Sequence, residues 1–454
     1  MTGVRSSQRK HAPDTVGLDE RMQTSLRRIA DKAKANRKHR FQNLYGLLNE
    51  EGLKEAFRSL NKNAASGVDR VSAREYGRNL DGNLRGLVER LKGKRYRAKL
   101  VRRRHIPKDK IKTRPLGIPV TEDKLLQTAV SKILMAIFEQ DFLPSSFGYR
   151  PRVGARDAVR KLTAKLQYGK FGYVVEADIK AYFNNIDHDW LIRMVRERVD
   201  DEAFLRLIRK WLKAGVLEED GKVVNPEAGT PQGGSVSPVL ANIYLHYAFD
   251  LWFQKVVYKY CTGKVFFARY ADDFVCLFQY KKDAERFYRA LPRRLAKFGL
   301  EVAPEKTRIV EFSRFRKNEN NRFEFLGFEF MWGTNRAGRD QLYTRTSPER
   351  LQRSLREFTQ WCKQVRHQGT REIFEMLNVK LLGHYNYFGV RGNFARLQRF
   401  FYRAMGILRK WLNRRSQRRS CSWMKFFRWL EIFKVERPRI RDKPPTQAQL
   451  LLPC

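Results

Sequence analysis

Long apolar runs are the first thing missing from this chain. No stretch of its 454 residues approaches the roughly 20 apolar residues a membrane helix requires, so no membrane association is expected. Met1 to Val16, basic with Ser and Pro, has none of the apolar core of a secretory signal. Residues 1–17 are expected to form a disordered basic arm. Cysteine is scarce as well. The five present, Cys261, Cys276, Cys362, Cys421 and Cys454, include no Cys-x-x-Cys pair. That spacing indicates neither a zinc site nor a disulfide framework, and suits idle thiols in a reducing cytoplasm. Acid is the third shortage: 48 Asp and Glu stand against 93 Lys and Arg, a formal net charge of +45. Such self-repulsion is costly unless a polyanion is present, and nucleic acid is the expected polyanion. A membrane surface would call for one basic block, whereas these residues run through the whole chain.

The acid that matters sits in two apolar strands. Phe267 to Phe278 reads Phe-Ala-Arg-Tyr-Ala-Asp-Asp-Phe-Val-Cys-Leu-Phe, strand-forming residues without a helical period. A turn at Ala271-Asp272 puts Asp272 and Asp273 at the tip of a hairpin. One aspartate in a turn is ordinary, because its side chain serves nearby backbone donors. Two, flanked by core-type strand, suit Mg²⁺, whose ligands are oxygens. Tyr173 to Ile179 is a second short apolar run that closes on an acid, Asp178. Nucleotidyl transfer uses two metal ions roughly 3.5–4 Å apart. Mg²⁺ takes only one or two protein carboxylates, with phosphate and water completing its shell, so one acid from each of two adjacent strands suffices. Asp187 precedes the helical pattern Trp190-Leu191-Val195-Val199 and is explained by N-capping.

About 150 residues per domain predicts two or three domains. Residues 18–60 read as short basic helices. Tyr96 to Ile106 reads as a strand, Pro107 to Lys110 as a turn, and Lys112, Thr113 and Arg114 as the return strand. Residues 121–138 form a helix with Leu125, Leu126, Ala129, Val130, Ile133 and Leu134 inward. Ser237 is a good N-cap and Pro238 a good first helical residue. Asp283 to Phe298 is a helix closed by Gly299, and Leu300 to Val302 a strand leading to Lys306. Helix starts at Ser347, Thr370, Asn393 and Ser422 predict a bundle. Its third helix and the stretch after it are crowded with Arg396, Arg399, Arg403, Arg409, Lys410, Arg414, Arg415 and Arg418, with Phe400, Tyr402 and Trp411 interleaved. Such density exceeds the needs of solubility and reads as a phosphate-tracking face.

Asp178 with its aromatic neighbours, Gly229-Thr230-Pro231-Gln232-Gly233-Gly234-Ser235-Val236-Ser237-Pro238 and Tyr270-Ala271-Asp272-Asp273 come in the order of reverse-transcriptase motifs. Arg114-Pro115-Leu116-Gly117-Ile118-Pro119 upstream and Phe325-Leu326-Gly327-Phe328 downstream narrow the match. The chain thus resembles the group II intron-encoded reverse transcriptases, or maturases, over most of its length. The resemblance implies an α/β (α+β) right-hand polymerase. Fingers and palm would occupy 18–340 around an antiparallel catalytic sheet, an all-helical thumb or maturase domain 341–435, and a short tail 436–454. Too few residues follow Ile440 for the HNH endonuclease that many members carry, so the endonuclease-lacking type is expected.

The same resemblance implies DNA synthesis on an RNA template from a DNA primer. Asp178, Ile179, Asp272 and Asp273 would hold two Mg²⁺ ions, with the three aspartates catalytic. Lys112, Arg114, Phe183, Gln232 and Lys306 would surround the dNTP, Phe183 excluding a ribose 2′-hydroxyl. Phe323 to Phe330 resembles the primer grip. Implied partners are the group II intron RNA, whose splicing and retrohoming would be assisted, and target DNA; the implied location is the cytoplasm, on the nucleoid when engaged with target. Competing readings are a reverse transcriptase of a retron, a diversity-generating element or a CRISPR array, and a splicing factor without polymerase activity. The long basic bundle favours the intron. An idle palm has no physical need for clustered carboxylates.

Overall fold

The computed structural model describes residues 20–107, 113–230, 233–316, 321–415 and 421–441. The arm expected over 1–17, Lys112, Gln232, Arg418 and the tail beyond Arg441 lie outside the described residues. The strands, in chain order, are β1 (Val101–Pro107), β2 (Thr113–Ile118), β3 (Tyr173–Ala177), β4 (Val216–Leu217), β5 (Val223–Val224), β6 (Val265–Tyr270), β7 (Asp273–Phe278), β8 (Arg308–Glu311), β9 (Phe323–Phe325), β10 (Phe328–Thr334) and β11 (Asp340–Thr346). Two compact units share the chain. The first comprises Met1–Leu143, Lys180–Trp252 and Arg294–Glu301; the second, Pro144–Ile179, Phe253–Arg293 and Val302–Cys454.

In the first unit a sheet of order β2-β1-β4-β5 is rooted on the helix Thr121–Phe138. That helix spans the residues its apolar period predicts, and Leu125, Leu126, Ala129, Val130, Ile133 and Leu134 are all fully buried. The first strand begins at Val101, not Tyr96, because Tyr96 is drawn inward. Its hydroxyl donates to Asp123 Oδ1 at 2.6 Å and accepts Trp211 Nε1–H at 2.8 Å, while Asp123 Oδ2 takes the Lys99 N–H at 3.1 Å. This knot fixes the root of the β1/β2 hairpin. Asp187 does cap its helix, accepting the Trp190 N–H at 2.7 Å. Ser237 does not: Val236 holds the cap position and Ser237 lies in the first turn with Pro238. The loop entering that helix is fixed from outside instead, the Ser235 N–H donating to Gln127 Oε1 at 3.0 Å.

The second unit holds two sheets, of order β6-β7-β3-β8 and β11-β10-β9, and the C-terminal helices. The strand expected at Leu300 to Val302 shrinks to a single bridge from Val302 to Ile179, since Pro304 cannot extend a ladder and starts a 3₁₀ turn. Helices at Pro348–Val365, Thr370–Phe388, Phe394–Leu412 and Trp423–Ile432 follow the expected starts. Ser347 and Ser422 accept the N–H groups of Arg350 and Lys425 as caps should. Asn393 binds β11 instead, accepting the Thr346 N–H and donating to its hydroxyl, both at 2.8 Å. One apolar core runs from Val174, Val275 and Leu277 through Phe323, Phe328 and Phe330 to Leu377, Leu397 and Leu408. The acid-bearing sheet is therefore packed as one body with the helical bundle.

The buried knot yields a pH prediction. Burial, the leading cause, pushes the Asp123 carboxyl up to about 6, against hydrogen bonds from Tyr96 and Lys99 that pull it down. Its folded value lies above its unfolded one, so this group's contribution to stability is full below pH 3.8 and is lost as pH rises through 6. At about 1.4 kcal/mol per unit, ionisation there costs on the order of 2–3 kcal/mol. Asp123→Asn, which cannot ionise, should gain stability relative to the parent between pH 4 and 7 in urea unfolding. A gap constant across that range would refute burial as the cause.

Candidate active site

Strands β6 and β7 pair from Val265 opposite Phe278 to Tyr270 opposite Asp273, leaving Ala271 and Asp272 as the turn. Ala271 is left-handed at φ +57°, a conformation that costs a non-glycine residue roughly 1–2 kcal/mol. The surroundings impose it. Arg269, fully buried, donates through Nη1 to the Ala271 carbonyl at 2.9 Å and through Nη2 to Ser146 Oγ at 2.7 Å. Its own backbone is stitched to the Ser145–Phe147 segment by two further bonds, at 2.9 and 2.8 Å. At Gly148 an added Cβ would lie 2.2 Å from the Ala271 nitrogen, so only glycine lets the segment reach the turn. Sequence reasoning missed these three supports. Arg269 carried a signal, a charge inside an apolar strand; Ser146 and Gly148 carried none.

Strand β3 lies beside β7 with Ala177 opposite Phe274. Continuing that register sets Asp178 level with Asp273, at the spacing of paired strands, roughly 4.5–5.5 Å between Cα atoms. The Asp178 carbonyl takes the Ala303 N–H at 2.9 Å, which pins the strand end. Lys306, on the 3₁₀ turn that follows, places its ammonium on Asp178 Oδ2. Four predicted site residues, Asp178, Asp272, Asp273 and Lys306, thus meet in one unit, with Ile179 next in the chain.

Electrostatics at this tip is adverse without a cation. The Asp273 carboxyl is pushed up to about 7, first by desolvation and then by the charges of Asp272 and Asp178; the Leu326 N–H it accepts works the other way. Lys306 is held above its ordinary value chiefly by its hydrogen bond to Asp178. Behind them Glu176 pairs with Arg308, its cross-strand neighbour, and accepts the Glu324 N–H at 2.7 Å. Among the described residues no three His, Cys, Asp or Glu side chains form a ready-made metal cage. The donor set nonetheless fits a hard divalent cation: carboxylate oxygens at one strand end, with an ammonium already drawn to one of them.

The remaining described candidates for dNTP contact, Phe183 and Arg114, belong to the first unit. Phe183, half-buried on the turn Tyr182–Asn184, packs edge-on against Tyr182, ring centroids 5.4 Å apart. Its carbonyl accepts the Thr230 N–H at 2.8 Å, and a Cβ at Gly229 would meet the Phe183 and Asn184 carbonyls at 2.9 and 2.8 Å. A Cβ at Gly233 would come within 2.5 Å of the Gly117 carbonyl. The glycine-rich loop therefore touches both the Phe183 turn and the end of β2. Arg114 lies on β2 opposite Ile106.

Acids at the ends of adjacent antiparallel strands, next to a glycine-rich loop in sequence order, define a nucleic-acid polymerase palm. Residues 106–330 match the family described as reverse transcriptase (RNA-dependent DNA polymerase). Protein YkfC of Escherichia coli is 30% identical over 383 residues, 76% of this chain and 97% of YkfC. The group II intron-encoded protein LtrA of Lactococcus lactis is 37% identical over 223 residues, 49% of this chain but 37% of LtrA. Apo telomerase from Candida tropicalis matches with TM-score 0.40 and 15% identity over 51% of this chain and 53% of that one, too slight a likeness to carry an argument. The chain belongs to the group II intron reverse transcriptase/maturase family, RNA-directed DNA polymerases with a right-hand polymerase fold. Reverse transcriptases use divalent metal ions.

A fourth missed residue, Tyr387, gives a test. The Leu326-Gly327 turn between β9 and β10 donates its Leu326 N–H to Asp273, and the Leu326 carbonyl accepts the Tyr387 hydroxyl at 3.1 Å. Tyr387 also stacks on Phe328, centroids 6.0 Å apart. A bundle helix thereby reaches the Asp273 carboxyl through the backbone of one residue, Leu326. Tyr387→Phe keeps the ring and removes one hydrogen bond worth about 0.5–1.5 kcal/mol. It should lower kcat for primer extension roughly three- to tenfold and leave the KM for dNTP unchanged. A rise in KM with intact kcat would contradict a positioning role.

Proposed function

We propose that this reverse transcriptase serves a group II intron: it copies RNA into DNA and also binds the intron RNA to assist its splicing and retrohoming. The meeting of Asp178, Asp272 and Asp273 at one strand end, with Lys306 beside them, carries the catalytic half of the reading. Two Mg²⁺ ions, when bound, would activate the primer 3′-hydroxyl and hold the leaving pyrophosphate. Asp178 and Asp272 would hold them with the Ile179 carbonyl, and Asp273 would support the site electrostatically. Lys306 would supply positive charge near the leaving group, and Lys112, Arg114 and Gln232 contacts to the triphosphate and base. Phe183 would press against C2′ of the incoming sugar and so refuse a ribonucleotide. Asp178→Asn or Asp272→Asn should abolish extension under Mg²⁺ and spare RNA affinity, because phosphate contacts lie elsewhere. Near-normal extension by either variant would sink the assignment.

The bundle carries the RNA-binding half. Its helix Phe394–Leu412 exposes Arg399, Tyr402, Arg403 and Lys410, and Arg414 follows, exposed although its guanidinium lies 5.0 Å from the Trp411 ring centroid. Arg409 and Arg415 have structural duties: Arg409 stacks 4.1 Å from the Trp423 ring centroid, and Arg415 donates to Thr370 Oγ1 and the Gln368 carbonyl at 3.2 and 3.1 Å. Arg396 is half-buried. The exposed cations are therefore the ones to neutralise. Replacing Arg399, Arg403, Lys410 and Arg414 together by Gln should flatten the slope of log intron affinity against log salt by about 3, at roughly 0.7–0.9 per phosphate contact. Splicing should fail at protein concentrations where a pre-annealed primer is still extended. Equal loss of both activities would assign this face to the primer–template duplex alone.

A further inference from the structure

We infer that the end of the β6/β7 hairpin remote from its acids, together with the head of the helix Lys281–Ala296, is a docking surface for a single strand of nucleic acid. Each of the two strands has six residues, which at about 3.3 Å per residue puts this surface about 20 Å from Asp272. It is separate from the acids at the other end of the hairpin.

Two tyrosines mark it, Tyr260 at 64% and Tyr280 at 49% exposed. Both are held in place. The Tyr280 ring lies against Gly263, where an added Cβ would approach it to 2.6 Å. Its hydroxyl accepts from Gln279 Nε2 at 3.2 Å, and Gln279 Oε1 accepts the Lys264 N–H at 3.0 Å. Buried Asp283 fixes the loop between the tyrosines, taking the Thr262 N–H and hydroxyl, both at 3.1 Å, and the Gly263 N–H at 3.0 Å. Arg286 Nη1 donates to the Tyr260 carbonyl at 2.9 Å.

Lys264, Lys282 and Arg286 are exposed around these rings. The acids of the same stretch are spent, Asp283 on the loop and Glu285 on Lys281 at 3.7 Å. Exposed tyrosine rings among cations, with the Lys259 ammonium 6.0 Å from the Tyr260 ring centroid, suit bases that stack and phosphates that need neutralising. A single strand offers both; a duplex hides its base faces. A second copy of this chain would bring +45 against +45, which works against self-association at a basic face.

The test uses the full chain saturated with a primer–template duplex, to which a single-stranded RNA oligonucleotide carrying 5-iodouridine is added and irradiated. Adducts are expected on Tyr260 or Tyr280, mapped by peptide mass spectrometry, and a DNA strand should serve equally because stacking ignores the sugar. Tyr260→Ser with Tyr280→Ser should abolish them. Lys264→Gln with Lys282→Gln should flatten the salt slope for this strand by about 1.4, at roughly 0.7 per contact, while extension on a short template stays unchanged in both double variants. Adducts confined to other peptides would overturn the inference, as would an unchanged salt slope. Loss of extension would point to misfolding or to the polymerase site, and would equally count against a separate surface.

Discussion

Three carboxylates that repel one another must be kept at one place, and much of the second unit is arranged around that requirement. Left to itself, the tip of the β6/β7 hairpin would relax by moving Asp272 away or by protonating Asp273, whose carboxyl is already pushed up to about 7. The first escape is closed. The left-handed Ala271 is held by Arg269, and Gly148 closes the space beside it. Asp178 is pinned through its own carbonyl to Ala303. The packed strands therefore carry the mutual repulsion of the three acids.

The restraints come from far apart in the chain. Ser146 precedes the hairpin by more than a hundred residues; Tyr387 follows it by as many. Ser146 acts by holding the Arg269 guanidinium that donates to the Ala271 carbonyl, and Tyr387 by donating to the Leu326 carbonyl. This explains why the second unit buries the catalytic sheet and the helical bundle in one apolar core. A bundle packed loosely against the sheet could bind RNA equally well, but it could not hold Leu326 steady beneath Asp273.

The acids and the hairpin were legible in the sequence because two aspartates break a strand pattern that otherwise has no reason to stop. Helices with a clean apolar period, such as Thr121–Phe138, were legible for the same reason. What escaped were features that depend on a distant partner. Tyr96 has a strand former's side chain, yet Asp123 and Trp211 claim its hydroxyl. Ser237 has the chemistry of a cap, but Gln127 fixes the loop before it, and Val236 takes the position. Arginine density in the bundle was visible; which of those arginines are free to meet a phosphate was not, because stacking on Trp423 or bonding to Thr370 depends on tertiary packing.

A chain of net charge +45 whose reactive centre is a cluster of acids also faces a conflict of scale. At long range the excess of lysine and arginine draws in nucleic acid. At the tip, a phosphate meets Asp178, Asp272 and Asp273 at distances where their charges are barely screened. Lys306 offsets one carboxylate, and its ammonium lies on Asp178, between that acid and anything approaching from its side. Long-range attraction can therefore bring a primer and a template to the protein, but it cannot seat a triphosphate among the acids. Divalent cations would resolve the conflict, and the proposed dependence on them follows from this local cluster of acids. The few carboxylates gathered here create a local negative field that the rest of the molecule, however basic, is too far away to cancel.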